Sequence, residues 1–219
     1  MFRPMTSLHL AIVLSALLQS APAPASPPPA AILGQWESAV RNKGGVGNIL
    51  EFHPDGRVTQ ISAAMGDTTY EVSGEWLRTF YTDETTGETR ESALKVEFEG
   101  SDRFAEKGED GTEQGSSERI GPSAPRTGSP LVGEWCSIFM ELLTQYRQFT
   151  PDGKLFVRMP AVTLRGTYKV EGDKLTVAIF GQPPGTYPFR IEGGQLIIKS
   201  RDGTDRVYKR TECTLLKGY

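Results

Sequence analysis

The stretch Phe52-His53-Pro54-Asp55-Gly56 holds the one histidine that remains once a leader ending at Ala25 is removed. Histidine-dependent chemistry in this chain therefore starts from His53 or not at all. A hydrolytic triad needs an imidazole beside a nucleophile, and a zinc site needs clustered His or Cys ligands. The only thiols are Cys136 and Cys213, too far apart in sequence for a Cys-x-x-Cys redox pair. Gly44-Gly45-Val46-Gly47 has the glycines of a phosphate cradle but neither the following helix nor the lysine. Glu106, Asp110 and Glu113 lie close together without the ligand spacing of a calcium loop. Carboxylates are plentiful, yet no two stand out as an acid and nucleophile pair. These residues predict no catalytic centre, no metal and no cofactor, and a binding role is expected instead.

The start of the chain shows where such a role would be played. Arg3 precedes an apolar run from Leu10 to Leu18 broken only by Ser15, and the small residues Ala23 and Ala25 follow. That order predicts a secretory signal peptide over residues 1–25 and an exported protein, periplasmic or extracellular. The rival reading is an uncleaved anchor, but the run is roughly half of the ~20 residues that a span requires. No second stretch is apolar enough to cross a membrane. A formal net charge of −3 argues against general nucleic-acid binding.

The remainder of the chain contains itself twice. Phe-His-Pro-Asp-Gly at Phe52 returns as Phe-Thr-Pro-Asp-Gly at Phe149, 97 residues on, and Gly34-Gln35-Trp36 returns as Gly133-Glu134-Trp135, 99 residues on. Tyr70-Glu-Val72-Ser-Gly74 matches Tyr168-Lys-Val170-Glu-Gly172, and Lys107 to Thr112 matches Lys199 to Thr204. Ordered matches with slowly drifting offsets mark a tandem duplication. The units run over 32–120 and 131–219, joined by a Pro/Gly/Ser-rich linker at 121–130 and preceded by a proline-stiffened spacer at 26–31. The copy keeps Phe, Pro, Asp and Gly of the opening motif and changes only His. Proline presets φ, aspartate bonds its own backbone and glycine takes positive φ, so the motif is a tight turn and His53 rides in it.

Period-two alternation dominates both units. Leu155, Val157 and Met159 share one face, as do Leu175, Val177 and Ile179, and then Tyr187, Phe189 and Ile191. Asp-Gly, Glu-Gly-Asp and Gly-Gly turns separate the runs, and no stretch has the period of a long amphipathic helix. The expected fold is all-β: two tandem small antiparallel up-and-down meander barrels of about eight short strands each. A filled interior is expected in the second unit, whose inward face is crowded. The first, with Gln60, Ser62 and Ala64 on its third strand, is the better host for a cavity.

A first strand reading Leu/Val-Gly-x-Trp at the head of a meander, with a basic residue on the last strand, resembles the lipocalin-like group of the calycins. The resemblance covers both units. It implies that Trp36 and Trp135 each close one barrel end and that an arginine from the last strand packs over each. Arg119 and either Arg206 or Arg210 are the candidates. It also implies a small apolar or amphipathic ligand. In a closed meander the first and last strands are neighbours, which would bring Cys136 and Cys213 together as a disulfide in an oxidising compartment. That bond would close a 77-residue loop, worth roughly 4 kcal/mol in the chain-entropy account.

The first loop of the second unit carries Ile138, Phe139, Met140, Leu142 and Leu143 where its twin has Arg-Asn-Lys-Gly. It either caps the barrel or forms a portal or contact surface. If it is a portal, Phe139, Met140 and Leu143, with Tyr146 and Tyr187 nearby, are the candidate ligand contacts. Charge also divides the units. Residues 32–120 hold 9 Lys and Arg against 18 Asp and Glu, a balance of −9, whereas 131–219 hold 13 against 9, a balance of +4. That contrast favours docking of the acidic unit on the basic one. The expected function is an exported, non-enzymatic binding protein, and the alternative is a protein-interaction or envelope-associated module with packed barrels.

Overall fold

The computed structural model describes residues 29–42, 44–82, 86–120, 129–139, 143–211, 213, 215 and 216. The first repeat supplies β1 (Gly34–Ser38), β2 (Val46–Phe52), β3 (Arg57–Ser73), β4 (Trp76–Thr82), β5 (Thr89–Phe98), β6 (Arg103–Lys107) and β7 (Glu113–Ile120). The second supplies β8 (Gly133–Phe139), β9 (Leu143–Phe149), β10 (Lys154–Glu171), β11 (Lys174–Ile179), β12 (Gly185–Glu192), β13 (Gln195–Lys199) and β14 (Asp205–Arg210). The chain is all-β, and among the described residues no helix is long and apolar enough to cross a membrane.

All 14 strands form one antiparallel sheet that closes in a ring, each strand pairing with its neighbours in sequence and β1 with β14. One further pairing crosses the ring. The long strands β3 and β10 run antiparallel from Arg57↔Thr167 to Thr69↔Lys154, with a register shift at Pro160 to Val162. A bulge is where a strand accepts a proline without losing a ladder bond. Gly166 marks the closest backbone approach, because a Cβ there would collide with the carbonyl of Ala178 on β11. Where about eight short strands per unit were expected, each repeat has seven. β3 and β10 each continue as one strand of 17 and 18 residues through the place where a turn would have made two. Neither segment carries a Pro-Asp-Gly or Gly-Gly signal in its middle.

The crossing divides the ring into two closed circuits of eight strands, and each circuit draws on both repeats. The first consists of β1, β2, β3 and β10 to β14, and the second runs from β3 to β10. Neither repeat closes on itself among the described residues, since β7 pairs with β8 and β14 with β1. Trp36, Leu50, Phe52, Val58, Tyr168, Leu175, Leu196 and Tyr208 form one core cluster, with Phe189 and Ile191 packed against it. Every strand of the first circuit contributes, so the cluster is its interior. Tyr70, Leu77, Phe104, Trp135, Phe149 and Leu155 form the equivalent core of the second circuit. A third cluster joins Ile49, Ile61, Ala63, Met65 and Phe156 to Cys213, Leu215 and Leu216 of the C-terminal segment. These strand residues alternate with the interior ones, so the third cluster covers the opposite face of the crossing.

The turns at Phe52 and Phe149 are each gripped by the other repeat. Tyr168 donates its N–H to Gly56 O (2.8 Å) and its hydroxyl to His53 O (2.9 Å), and meets the Phe52 ring edge-on at 4.9 Å. Tyr70 makes the same bonds to Gly153 O and Thr150 O, both 2.8 Å, and meets Phe149 at 5.0 Å. Gly56 and Gly153 take φ of 82° and 80°, which answers for the glycine of the repeated motif.

Because these contacts are reciprocal, a single cut within residues 121–130 is expected to leave the two repeats associated. The fragments should co-elute in size-exclusion chromatography under native conditions and separate only in denaturant. Elution of two independent folded fragments would contradict this account of the crossing.

Candidate functional site

Both circuits are closed at one end by the same device. The Trp36 indole donates to Ile32 O (2.8 Å), and Trp135 to Leu131 O (2.7 Å). Over Trp36 lies the Arg210 guanidinium, 4.1 Å from the ring, and over Trp135 lies Arg119 at 4.0 Å. Each guanidinium also donates to carbonyls of the turn before the tryptophan: Arg210 to Ala31 (2.6 Å) and Leu33, Arg119 to Pro130 (2.7 Å) and Val132 (3.0 Å). Stacking on a ring while chelating carbonyls suits the planar guanidinium and not an ammonium. The arginines cross over, the one from the second repeat covering the tryptophan of the first and the reverse. The glycine of Gly-x-Trp is required by this packing. Gly34 has a φ of 96°, and a Cβ there would stand 2.9 Å from Arg210 Nη1; Gly133, at 134°, is blocked by Arg119 in the same way.

The first circuit opens, away from Trp36, into a pocket of about 480 Å³. Leu50, Val58, Leu175, Val177, Ile179 and Ile198 make its apolar wall, with Gln60, Tyr187 and Tyr208 as the polar groups among them. Its mouth lies between the β11–β12 turn, at Gln182 and Pro183, and the β13–β14 hairpin, where Ser200, Arg201 and Asp202 stand near Arg206. Burial pushes the Tyr208 phenol above its ordinary value, with Arg206 opposing. Both repeats line the pocket, so the interior expected to be filled in the second unit and the cavity expected in the first are one shared space.

The second circuit has the same strands and a different filling. Three pocket positions, Leu50, Ile198 and Tyr208, are occupied in the other copy by Arg147, Glu106 and Ser117. These three polar side chains close on one another. Arg147 donates to Glu106 Oε1 and Oε2 at 2.7 and 2.9 Å, and to the Ser117 hydroxyl. Phe98 and Phe104 then crowd Trp135, where the first circuit has the smaller Ile191 and Leu196 beside Trp36. Larger rings and a bidentate ion pair occupy this interior.

A third polar group ties the crossing to the first strand. Arg158, 1% exposed, donates through Nε (3.0 Å) and Nη2 (2.9 Å) to the Glu37 carboxylate, and through Nη1 to Asp67 Oδ1 (2.8 Å) and Gly66 O (3.1 Å). Arg41 bonds Asp67 Oδ2 at 2.6 Å, and the Thr211 hydroxyl donates to Glu37 at 2.9 Å. Burial alone would raise the Asp67 carboxyl, but the charges of Arg158 and Arg41 outweigh it and hold that group below its ordinary value. All ion pairs between the repeats among the described residues set a base of the second on an acid of the first: Arg158 on Glu37 and Asp67, Arg147 on Glu106, and Lys209 on Asp67.

Of the residues singled out from the sequence, Tyr187 lines the pocket, whereas Tyr146 packs against the cluster at the crossing. Phe139 and Leu143 are the paired ends of the β8–β9 hairpin, with side chains outside the described part, and Met140 lies outside the described residues altogether. The expected disulfide is absent: Cys136 and Cys213 are both free. Its premise was that the first and last strands of one unit are neighbours, but β8 lies between β7 and β9, and β14 between β13 and β1. Burial raises both thiols, that of Cys213 to about 12, so neither is a ready nucleophile. His53 sits in its turn with Nε2 3.4 Å from Thr59 Oγ1, and among the described residues no cluster of His, Cys, Asp and Glu is arranged to hold a metal. Compared with protein-family models, curated proteins and solved structures, the chain matches none of them.

Two outcomes test the crossing. Arg158→Ala strands the buried Glu37 carboxylate and is expected to cost about 3–5 kcal/mol in urea denaturation. Asp67 has a depressed value, so its contribution is complete above the ordinary carboxylate range and is lost as pH falls through that depressed value. The stability gap between the natural protein and Asp67→Asn should hold steady from about pH 8 to about pH 5 and shrink as pH falls from the ordinary carboxylate range through the depressed value.

Proposed function

We propose that this chain is an exported, non-enzymatic binding protein made of two lipocalin-like eight-strand barrels that exchange strands between the repeats. The first barrel carries a small apolar or amphipathic ligand, and the second serves as a packed partner. The observation that carries this reading is the pocket of about 480 Å³ inside the first circuit. Its size falls in the range of small-molecule sites, and its lining has their usual character, apolar walls with few polar groups. Divergence between the copies supports it further, because three pocket positions are plugged in the other barrel by Arg147, Glu106 and Ser117. The stacked arginines and the Gly-x-Trp strands agree with the lipocalin-like resemblance. The alternative, a protein-interaction module with packed barrels, draws its support from that plugged second interior and from Phe180, 85% exposed.

The two readings separate in native mass spectrometry of protein purified from its own exported compartment. The natural protein is expected to carry an added mass that organic extraction removes. Val177→Trp, which fills the pocket from its wall, should emerge bare with an unchanged far-UV circular dichroism spectrum. A bare natural protein would sink the carrier reading and favour the interaction module.

A further inference from the structure

We propose, resting on the pocket reading above, that the ligand is an amphipathic anion whose apolar chain lies against Leu50, Val177 and Ile198 and whose oxyanion head is held at the mouth by Arg201 and Arg206. Arg41, Arg147, Arg158 and Arg190 each pair with a carboxylate, at 2.6 to 3.0 Å. Arg201 and Arg206 do not: among the described residues neither makes an ion pair. Arg206 donates from Nε to the Ser200 hydroxyl at 2.7 Å and its side chain also hydrogen-bonds Tyr208, two neutral partners that aim its guanidinium without neutralising it. Arg201 reaches only Pro184 O, at 3.4 Å, and stands 6.0 Å from the Tyr187 ring.

The bonds of Thr204 and then the charge of nearby Arg206 hold the Asp202 carboxyl below its ordinary value, and Asp202 is anchored in its own turn. Asp202 accepts the N–H of Thr204 (3.0 Å) and its hydroxyl (2.7 Å), completing its own turn. The hairpin's other charges are satisfied outside the mouth, with Asp205 bonded to Arg190 at 3.0 Å and to Lys199 at 3.6 Å. The mouth thus presents two guanidiniums that among the described residues no carboxylate bonds, with Asp202 held in its own turn, above a wall with no charged group. Donors in a fixed fork at the edge of an apolar space fit a carboxylate or phosphate head on a hydrocarbon chain. A neutral chain would leave both guanidiniums unused, and a cationic head would be repelled by them.

The test uses the full mature chain and N-phenyl-1-naphthylamine, an uncharged apolar fluorophore, as the reporter of pocket occupancy. Dodecanoate, dodecyl phosphate, dodecanol and dodecyltrimethylammonium compete against it at concentrations below micelle formation. Dodecanoate or dodecyl phosphate is expected to compete about tenfold better than dodecanol, the scale of one charge-assisted contact at a partly exposed rim. The better of the two anions identifies the head. The cation should compete worst. Raising salt from about 0.01 M to about 1 M should shrink the preference in the natural protein. Arg201→Gln with Arg206→Gln should reduce it to within about twofold, while Lys199→Gln, the same loss of charge outside the mouth, should keep it. Equal competition by dodecanoate and dodecanol, or a preference that survives loss of both arginines, would overturn the head-group assignment and leave the pocket standing. Failure of the uncharged reporter to bind, or equal binding by Val177→Trp, would overturn the pocket reading and this inference with it.

Discussion

The pairing of β3 with β10 is the constraint on which the rest of the molecule depends. Two strands of 17 and 18 residues, one from each repeat, lie antiparallel along most of their length. Had either strand turned back at its middle, each repeat would have had the means to close alone. Because both run straight, the first half of one repeat must finish its sheet with the second half of the other. The crossed arginine stacks, the tyrosines that grip the opposite turns and the ion pairs between repeats all follow from that geometry. An antiparallel pairing of equivalent segments is self-complementary in the way of a two-fold interface, so the arginine stacks and the tyrosine grips each occur twice. The counterparts have since diverged.

Divergence is clearest in the interiors. Both circuits inherit the same scaffold of inward positions, yet Leu50, Ile198 and Tyr208 leave room where Arg147, Glu106 and Ser117 lock together. An ion pair inside a barrel is a costly way to fill space unless its hydrogen bonds are well satisfied. Here the carboxylate is met bidentately and a hydroxyl takes a further donor, although Arg147 Nε has no partner. The packed circuit then gives the open one a firm wall at the crossing, since the two share β3 and β10.

Much of this was legible in the sequence, and the reason is local. Alternation in Leu175, Val177 and Ile179, the Pro-Asp-Gly turns and the Gly-x-Trp strands each act through a few neighbouring residues, so strand content, meander order and the role of His53 could be read directly. Tyr187 lines the pocket on a strand whose alternation the sequence shows, but the portal it is expected to flank lies outside the described side chains. What was not legible is which strand closes which sheet. Nothing in Val58 to Ser73 announces whether the strand bends or runs on, because that choice is settled by the partner strand a hundred residues away. The disulfide expectation failed for this reason alone. Arg201 and Arg206 escaped for a related one: Arg201 reads as a turn residue beside Asp202-Gly203-Thr204 and Arg206 as a rival of Arg210 for the tryptophan stack, and only the neighbouring β11–β12 turn makes their hairpin the rim of a pocket.

The closing of β1 on β14 sets the order in which the molecule can come into being. Trp36 pairs with Arg210, near opposite ends of the described chain, whereas the second circuit needs nothing beyond the early part of β10. As the chain lengthens from its N-terminus, the packed circuit has all of its strands while β11 to β14 are still to be made. The pocket-bearing circuit cannot be completed until Arg210 is present to cover Trp36. Its ladder joins residues remote in sequence, the kind of contact that folds slowly. Until then β1 waits with an unpaired edge, and the pocket is the last part of the fold to close.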